Sequence, residues 1–219
     1  SYGYPFCWTE YNISGDAGMG RGTQWLWPRS FDEGLTDDYC RDEENNIPPA
    51  MAIQAHSASL GMEFYNWSDD LPAECDPSEA FPQEMNGDLF MALHGSVTRI
   101  VPTGYKVVQV KMTDDGDIDF DASDQPIDFF KHEGEDARWS QNDYFRPVGV
   151  TFDKCGRMFV SSSGAFLLDK SPDLPGRGKL IQIIKSDCCP VPPEIEIPPP
   201  QSVIIVAVLV IVKLIRSLI

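Results

Sequence analysis

Two stretches decide the fold: Gly87-Asp88-Leu89-Phe90-Met91-Ala92 and Gly156-Arg157-Met158-Phe159-Val160-Ser161. Each begins with a turn glycine and continues as a short apolar strand. After a loop, each is followed by a second strand, Gly104-Tyr105-Lys106-Val107-Val108-Gln109-Val110 in the first copy and Gly178-Lys179-Leu180-Ile181-Gln182-Ile183-Ile184 in the second. A β-unit that recurs at this spacing is typical of the blades of a propeller.

The repeat also predicts how the rest of the chain is arranged. A single blade cannot bury both of its faces, so neighbouring blades are expected. The loops after Ala92 and after Ser161 should then lie at the same end of the molecule. Apolar alternation predicts another strand within residues 58–65, and Pro147–Phe152 is an apolar strand that leads into the second copy. No segment has a convincing amphipathic helical pattern, so we predict an all-β fold with residues 1–50 as long loops.

Composition limits the classes of function. The chain has 219 residues, 42% of them hydrophobic, which is enough apolar material for a core. It carries 17 Lys and Arg against 34 Asp and Glu, a formal net charge of −17. Nucleic-acid binding is excluded by this balance, because phosphate recognition needs a clustered basic face. The negative charge is interpreted as a solvated surface.

The cysteines and two glycosylation sequons favour an oxidising, secretory compartment. The sequons are Asn12-Ile13-Ser14 and Asn66-Trp67-Ser68. The cysteines lack the paired spacing of zinc sites, which favours disulfides, but six cysteines allow 15 pairings and the sequence does not choose among them. A bridge between Cys7 and Cys40 would clip the N-terminal loops. The six are Cys7, Cys40, Cys75, Cys155, Cys188 and Cys189.

The C-terminal part of the chain differs in character from residues 1–185, which form the predicted globular region. Residues 186–201 are dense in proline and are predicted to be a stiff, extended linker. Residues 202–219 form a hydrophobic tail, in which the apolar run at 203–212 is followed by Lys213 and Arg216. This order favours a single-pass membrane anchor through residues 203–216, with the globular part extracellular or at the cell surface. A cleaved lipid-anchor signal is the alternative, and a buried C-terminal strand is less favoured.

Four side chains are candidates for a ligand site. His94 and Arg99 lie in the loop after the first strand of the first copy, Arg146 opens the strand before the second copy, and His56 precedes the strand at 58–65. Loops of successive blades converge at the central channel, so these groups could meet although they are distant in sequence. Arginines beside imidazoles suit an anionic, planar ligand with carboxylates.

Each of these residues also has an ordinary interpretation. A single loop histidine usually makes local hydrogen bonds, and a single arginine is usually a surface charge. The acidic segment 114–119 (DDGDID) resembles a calcium loop but lacks the downstream glutamate of an EF-hand, so a solvated loop is favoured. The sequence contains no nucleotide-binding glycine fingerprint, no Gly-x-Ser-x-Gly elbow and no zincin helix.

Several ordered blocks together resemble the glucose/sorbosone dehydrogenase family, and most closely the pyrroloquinoline-quinone (PQQ)-dependent pyranose dehydrogenases of eukaryotes. The resemblance covers about residues 1–185. Two segments depart from the pattern of the family: Val97-Thr98 replace its usual Trp-Asn, and Ser162-Ser163 replace its acidic residues after the late strand. The matching blocks are Tyr2-Gly3-Tyr4-Pro5-Phe6-Cys7, Gln54-Ala55-His56-Ser57-Ala58, Phe81-Pro82, Gly87 to Ser96, Arg99, Pro102, Gly104-Tyr105-Lys106-Val107-Val108 and Arg146-Pro147-Val148-Gly149-Val150.

The resemblance implies a six-bladed propeller that holds PQQ and calcium on its axis and oxidises sugars. It implies that Arg146 pairs with a quinone carboxylate, that His94 and Arg99 lie in the adjoining loop near the cofactor, and that His56 lies at the rim. The catalytic base of the family, and an Arg-Asn pair beside the quinone, lie in its amino-terminal half and have no counterpart in this sequence.

The same resemblance implies that the chain is a C-terminal fragment of about three blades that is inactive alone. We therefore expect a sugar as the small-molecule substrate, no nucleic-acid partner, and an electron acceptor that the sequence does not specify. The alternative function is a catalytically inactive extracellular propeller that serves as a sugar-binding or adhesion module.

Overall fold

The computed structural model describes residues 2–13, 17–96, 99–131, 145–163, 178–185 and 213–214. Strands dominate this part of the chain, and its single α-helix, α1, spans Asp37–Arg41. Three short 3-10 helices span Pro28–Glu33, Pro77–Glu79 and Gln83–Met85. The strands are β1 (Cys7–Thr9), β2 (Gln24–Leu26), β3 (Ser59–Phe64), β4 (Leu89–Leu93), β5 (Lys106–Val110), β6 (Ile127–Lys131), β7 (Pro147–Phe152), β8 (Met158–Ser162), β9 (Lys179–Ile183) and β10 (Lys213–Leu214).

Two four-stranded antiparallel sheets carry the fold. The first has the order β3-β4-β5-β6 and the second β7-β8-β9-β10, so each is a meander in chain order. The two sequence copies are the β4–β5 and β8–β9 hairpins. Their registers are equivalent, with Leu89 opposite Val110 in one hairpin and Met158 opposite Ile183 in the other. The repeat read from the sequence is therefore a structural repeat.

The main core lies between the two sheets. Alternate residues of the strands point into it, as the two-residue period of a strand requires. Phe90 and Val107 from the first sheet, and Met158, Val160 and Ile183 from the second, are fully buried there. Each such side chain stabilises the fold by about 1.5–3 kcal/mol relative to an exposed one.

The two sheets approach most closely where β3 meets β7. A Cβ on Gly61 would lie 2.7 Å from the Cα of Gly149 and 2.7 Å from the Val148 carbonyl oxygen. Only glycine allows this approach of one backbone to another. The first strands of both sheets thus lie side by side, and their N-terminal ends lie near each other.

The other face of the first sheet has a smaller core. Met91, Leu93, Val108 and Val110 are buried there beneath a cover of neighbouring segments. β3 confirms the strand predicted at 58–65, but its alternating apolar side chains are not buried: Leu60, Met62 and Phe64 are each about half exposed. The partly buried residues of the cover are Met51, Ile53, Leu89, Met112 and Ile118.

Two disulfides are formed within the described residues. Cys7–Cys40 closes the N-terminal region, and Cys75–Cys155 joins the segment after β3 to the β7–β8 turn. They confirm that disulfides form and give the pairing of four of the six cysteines. Cys188 and Cys189 lie outside the described residues.

Two sequence predictions need correction. Residues 1–50 are not only loops: β1 pairs with β2, and α1 packs against β2, partly because the Leu26 backbone N–H donates to the Asp37 carboxylate at 2.9 Å. β6 was also missed, because it follows an acidic run and only two of its side chains are partly buried.

Most of the linker (186–201) and the tail (202–219) lies outside the described residues, so the anchor at 203–216 stays a prediction. Within the tail the structure describes only Lys213–Leu214, which pair with Gln182 and Ile181 as an outer strand of the second sheet. Among the described residues, no helix has the length and apolar character needed to span a membrane.

Candidate functional site

Loops from both sheets meet at one end of the molecule. The end of β4 continues into His94, and the end of β8 continues into Ser163. The His94 Nε2 atom lies 3.0 Å from the Ser163 hydroxyl oxygen. The prediction that the loops after Ala92 and Ser161 lie at the same end is therefore confirmed.

Arg146, just before β7, contacts the other side of the His94 ring. Its Nη2 atom lies 3.0 Å from His94 Nδ1. A guanidinium N–H only donates, so Nδ1 must be the unprotonated nitrogen that accepts. The contacts therefore assign His94 as the neutral tautomer with its proton on Nε2, which donates to the Ser163 hydroxyl oxygen.

Backbone bonds close these three residues into a ring. The Ser163 backbone N–H donates to the Arg146 carbonyl oxygen at 3.0 Å, and the Arg146 backbone N–H donates to the Ser162 hydroxyl oxygen at 2.9 Å. Ser163, His94 and Arg146, from three different chain segments, are thus linked in a closed network. We call it the His94–Arg146–Ser163 ring.

The guanidinium of Arg146 is held in place from several directions. Arg146 is only 5% exposed, and its Nη2 also donates to the Gly95 carbonyl oxygen at 3.2 Å. Its Cζ atom lies 5.3 Å from the centre of the Tyr105 ring, within cation–π range. Tyr105 is fixed in turn by a short hydrogen bond from its hydroxyl to the Ser96 carbonyl oxygen.

Two glycines allow the loop between β4 and β5 to fold this tightly. Gly95 has a φ of +100°, and a Cβ there would lie 2.6 Å from the Tyr105 ring. Gly104 has a φ of +87°, and a Cβ there would lie 2.6 Å from the Cα of Gly95. Side chains at either position would separate Tyr105 from Arg146.

The electrostatics of the site follow from this geometry. Burial lowers the pKa of His94 below its usual 6.5, and the positive charge of Arg146 lowers it further. Neutral imidazole is therefore the form that the site favours near pH 7, in agreement with the tautomer that the hydrogen bonds assign.

The other two predicted residues belong to the same end of the molecule. The Gly95 and His94 backbone N–H groups donate to the carbonyl oxygens of Ser57 and Ala58, at 3.0 and 2.9 Å. His56 precedes this pair of residues, with an exposed side chain and a φ of +68°. Arg99 donates to the Ala55 carbonyl oxygen at 3.3 Å. The structure thus brings His94 and Arg146 into contact and places Arg99 against the loop that carries His56.

The described residues contain no group of three His, Cys, Asp or Glu side chains placed to hold a metal ion. The calcium that the resemblance implies therefore stays a prediction.

Sequence reasoning missed Tyr105, Ser163 and the Gly95 carbonyl group as parts of the site. One signal for Ser163 was present, because Ser162-Ser163 depart from the acidic residues usual in the family. That departure falls on the two serines that bind Arg146 and His94. Val97-Thr98, the other departure, lie outside the described residues.

Comparison with known proteins identifies the family. A family model described as TrAA12-like matches residues 1–166. The chain belongs to the TrAA12-like family. None of the curated proteins matches it.

Solved structures similar to this TrAA12-like chain include two of Trichoderma reesei Carbohydrate-Active Enzymes Family AA12, an iodide structure and a calcium structure. Each has 27% identity and a TM-score of 0.57 over 74% of this chain. The holo form of the pyranose dehydrogenase PQQ domain from Coprinopsis cinerea has 26% identity and a TM-score of 0.51 over 74% of this chain. These matches cover 35–37% of the solved chains, so the chain spans about a third of their length. The predicted fold, part of a β-propeller, and the family resemblance are confirmed.

Proposed function

We propose that this chain is the C-terminal part of a PQQ-dependent oxidoreductase that acts on sugars. The His94–Arg146–Ser163 ring carries the proposal. It places a buried guanidinium where loops of two successive blades converge, in a chain of the TrAA12-like family. The printed descriptions of the similar structures, a PQQ domain of a pyranose dehydrogenase and a carbohydrate-active enzyme family, support the cofactor and the substrate class.

The described residues fit the quinone. PQQ is planar and carries carboxylates, and a guanidinium held by an imidazole, a carbonyl group and an aromatic ring has little freedom left to lose on binding a carboxylate. Arg146 would hold a carboxylate of the quinone. His94 and Arg99 would lie beside it, and His56 would lie at the rim.

In this proposal the residues of the chain bind and orient. The quinone, when bound, supplies the hydride acceptor for oxidation of a sugar hydroxyl or aldehyde carbon. Arg146 fixes the position of the ligand and provides a positive charge in a site of low dielectric, where it counts for more than in water. His94 is neutral and both of its ring nitrogens are engaged, so it orients Arg146 and does not act as the base.

The base and further cofactor contacts are proposed to lie outside this chain, which would then be inactive alone. We also propose an extracellular or cell-surface location, based on the sequons, the two disulfides and the hydrophobic tail. The electron acceptor is left open.

A second function, a catalytically inactive sugar-binding module, is favoured by two observations. Ser162-Ser163 stand where the family has acidic residues. In addition, a groove of about 420 Å³ lies over the far face of the first sheet, and its lining combines apolar side chains such as Leu93 and Val108 with polar ones, a mixture that suits a sugar ring. Its polar lining includes Tyr11, Gln54, Lys106, Gln125 and Asp128.

The experiment measures PQQ binding by calorimetry in the complete gene product. Arg146→Ala should weaken binding at least about tenfold, the loss expected for one charge-assisted pair. Arg157→Ala is the matched control. Arg157 directly precedes β8, at the opposite end of the same sheet, and binds Asp153. Equal affinities for the two variants would remove Arg146 from the site.

Activity separates the two functions. The complete gene product, reconstituted with PQQ and calcium, should reduce a dye in the presence of aldoses. Sugar binding without dye reduction would favour the sugar-binding module.

A further inference from the structure

Ser163 has a role in the ring that neither the family nor the proposed cofactor assigns to it. We propose that Ser163 is a positioning residue: its hydroxyl group accepts from His94 Nε2–H and fixes the orientation of the ring, so that Nδ1 faces Arg146 and fixes the direction of the guanidinium. The ring itself is a property of this chain. Its use in aiming Arg146 at a carboxylate rests on the proposed function.

The tautomer decides whether Arg146 is held. With the proton on Nε2, the Nδ1 lone pair faces the Arg146 Nη2–H at 3.0 Å. With the proton on Nδ1, two N–H donors would face each other at that distance, and the attraction would become a repulsion. Arg146 therefore sets the tautomer, and the Ser163 hydroxyl on the Nε2 side fixes the ring orientation that keeps Nδ1 toward Arg146.

Ser163 is well placed to be that acceptor. Its side chain is exposed, but its backbone is fixed by the N–H bond to the Arg146 carbonyl oxygen at 3.0 Å. From this backbone position the hydroxyl oxygen lies 3.0 Å from His94 Nε2. Ser163 pairs with the backbone of Arg146 and with the side chain of His94. A displacement of the Arg146 backbone would therefore also move the hydroxyl group that binds His94.

A serine at this position also differs chemically from an acidic residue. A carboxylate beside Nε2 would favour the doubly protonated imidazolium, which has no lone pair left to accept from Arg146. A neutral hydroxyl does not favour the charged form. The departure from the acidic residues of the family is thus consistent with a site that requires neutral His94.

In the described part of the chain, the elements packed around His94 carry a few other charged or titratable groups. Arg146 and Arg99 are cations, and Tyr105 is bonded to the Ser96 carbonyl oxygen. His56 is exposed on the adjoining loop, and Lys106, at the start of β5, pairs with Asp128.

The test is 15N NMR of the histidine rings in this chain without cofactor. The chain has only three histidines, so the signals can be assigned by substitution. Wild-type His94 should show the neutral Nε2–H pattern at pH 7.5. In Ser163→Ala, the His94 Nε2–H should exchange with water at least about fivefold faster, since a neutral hydrogen bond is worth about 1 kcal/mol.

Three further variants separate positioning from a merely structural role. Ser163→Thr keeps the hydroxyl and should restore the wild-type pattern. Ser163→Asp should raise the pKa of His94 by about one. Ser161→Ala is the matched control: it removes a strand hydroxyl bonded to the Gly149 N–H at 3.0 Å, and it should leave His94 unchanged. Backbone amide shifts of β8 report whether each variant is folded.

An unchanged exchange rate of the His94 Nε2–H in folded Ser163→Ala, or equal His94 pKa values in Ser163→Asp and the wild type, would overturn the proposal. The NMR result needs no quinone, so it is independent of the proposed function. In the complete gene product, Ser163→Ala should weaken PQQ binding about fivefold and Ser163→Thr should restore it. If the NMR prediction holds but Arg146→Ala binds PQQ normally, the proposed function fails and the role of Ser163 in the ring stands.

Discussion

The two arginines of the second sheet lie at opposite ends and are held by opposite kinds of partner. Arg157, at the β8 start, binds the Asp153 carboxylate at 2.6 and 2.8 Å and Glu79 at 3.2 Å. Arg146, before β7, contacts a neutral imidazole, a carbonyl oxygen and an aromatic ring. Although Arg157 is paired with acids, it is the more exposed of the two, with 28% of its side chain accessible.

This difference indicates that the two ends of the second sheet have different roles. The Arg157 end is a scaffold end, where the Arg157–Glu79 ion pair and the Cys75–Cys155 disulfide join the β7–β8 turn to the segment between β3 and β4. There the positive charge of Arg157 is neutralised by the neighbouring carboxylates of Asp153 and Glu79. The Arg146 end holds a buried guanidinium against an imidazole, a carbonyl group and an aromatic ring, and a buried charge of this kind is usual at ligand sites.

Breaking the scaffold end should have the largest effect on stability. The double variant Cys75→Ala/Cys155→Ala removes a bridge that closes a loop of 80 residues in sequence separation. The free energy of unfolding should fall by about 4 kcal/mol, as loop-closure entropy predicts. Urea denaturation measures it, with the reduced wild type as the control.

The same variant sharpens the comparison. Under native conditions its folded molecules should keep the wild-type His94 tautomer, because the site end is held by its own bonds. A loss below about 1 kcal/mol, or an altered tautomer in the folded protein, would show that the two ends are not separate in this way.

Breaking the site end at Gly95 should have the next largest effect. Gly95→Ala places a methyl group 2.6 Å from the Tyr105 ring in a residue with positive φ. Backbone strain and the clash together should cost about 3 kcal/mol. Circular dichroism during urea unfolding measures the loss.

Gly116→Ala is the control for this substitution. Gly116 has a similar φ of +86°, but no atom lies within 4 Å of a Cβ there. Only the backbone strain remains, about 1 kcal/mol. The difference between the two losses of unfolding free energy therefore measures the clash with Tyr105 alone. Equal losses would mean that the loop moves to accommodate the methyl group without losing stability.

The repeat made the fold predictable from sequence because its strands carry buried apolar residues, in a continuous run at Leu89–Leu93 and at the alternate positions Ile181 and Ile183 in β9. β6 lacked that signal, since two of its five residues are only partly buried and the rest are exposed. β1 and β2, of three residues each, are too short to show a period.

The site was predictable only in part. His94 and Arg146 carry distinctive side chains at the ends of predicted strands, so the pattern could point to them. Ser163 and the Gly95 carbonyl group act through geometry that the chain acquires only when the two sheets pack together. No local pattern distinguishes a serine that binds a distant imidazole from one that faces solvent.

The smallest expected effect separates the two ends by pH. The pKa of His94 is lowered from 6.5, first by burial and then by Arg146. Burial of Asp153 opposes ionisation, but Arg157 and backbone N–H groups outweigh it and keep the pKa of Asp153 below 3.8. In both cases the unfolded state binds the proton more readily, so stability is present above the unfolded pKa and is lost as pH falls.

The site end should therefore weaken below pH 6.5, and the scaffold end only below pH 3.8. Between pH 7.5 and 5 the loss due to His94 should be less than about 1 kcal/mol, since the ring is half-buried and solvent screens it. Urea midpoints at several pH values measure this slope. His94→Gln should reduce the slope in this range, while His56→Gln, at an exposed position, should keep it; an unchanged slope in His94→Gln would assign the pH dependence to another group.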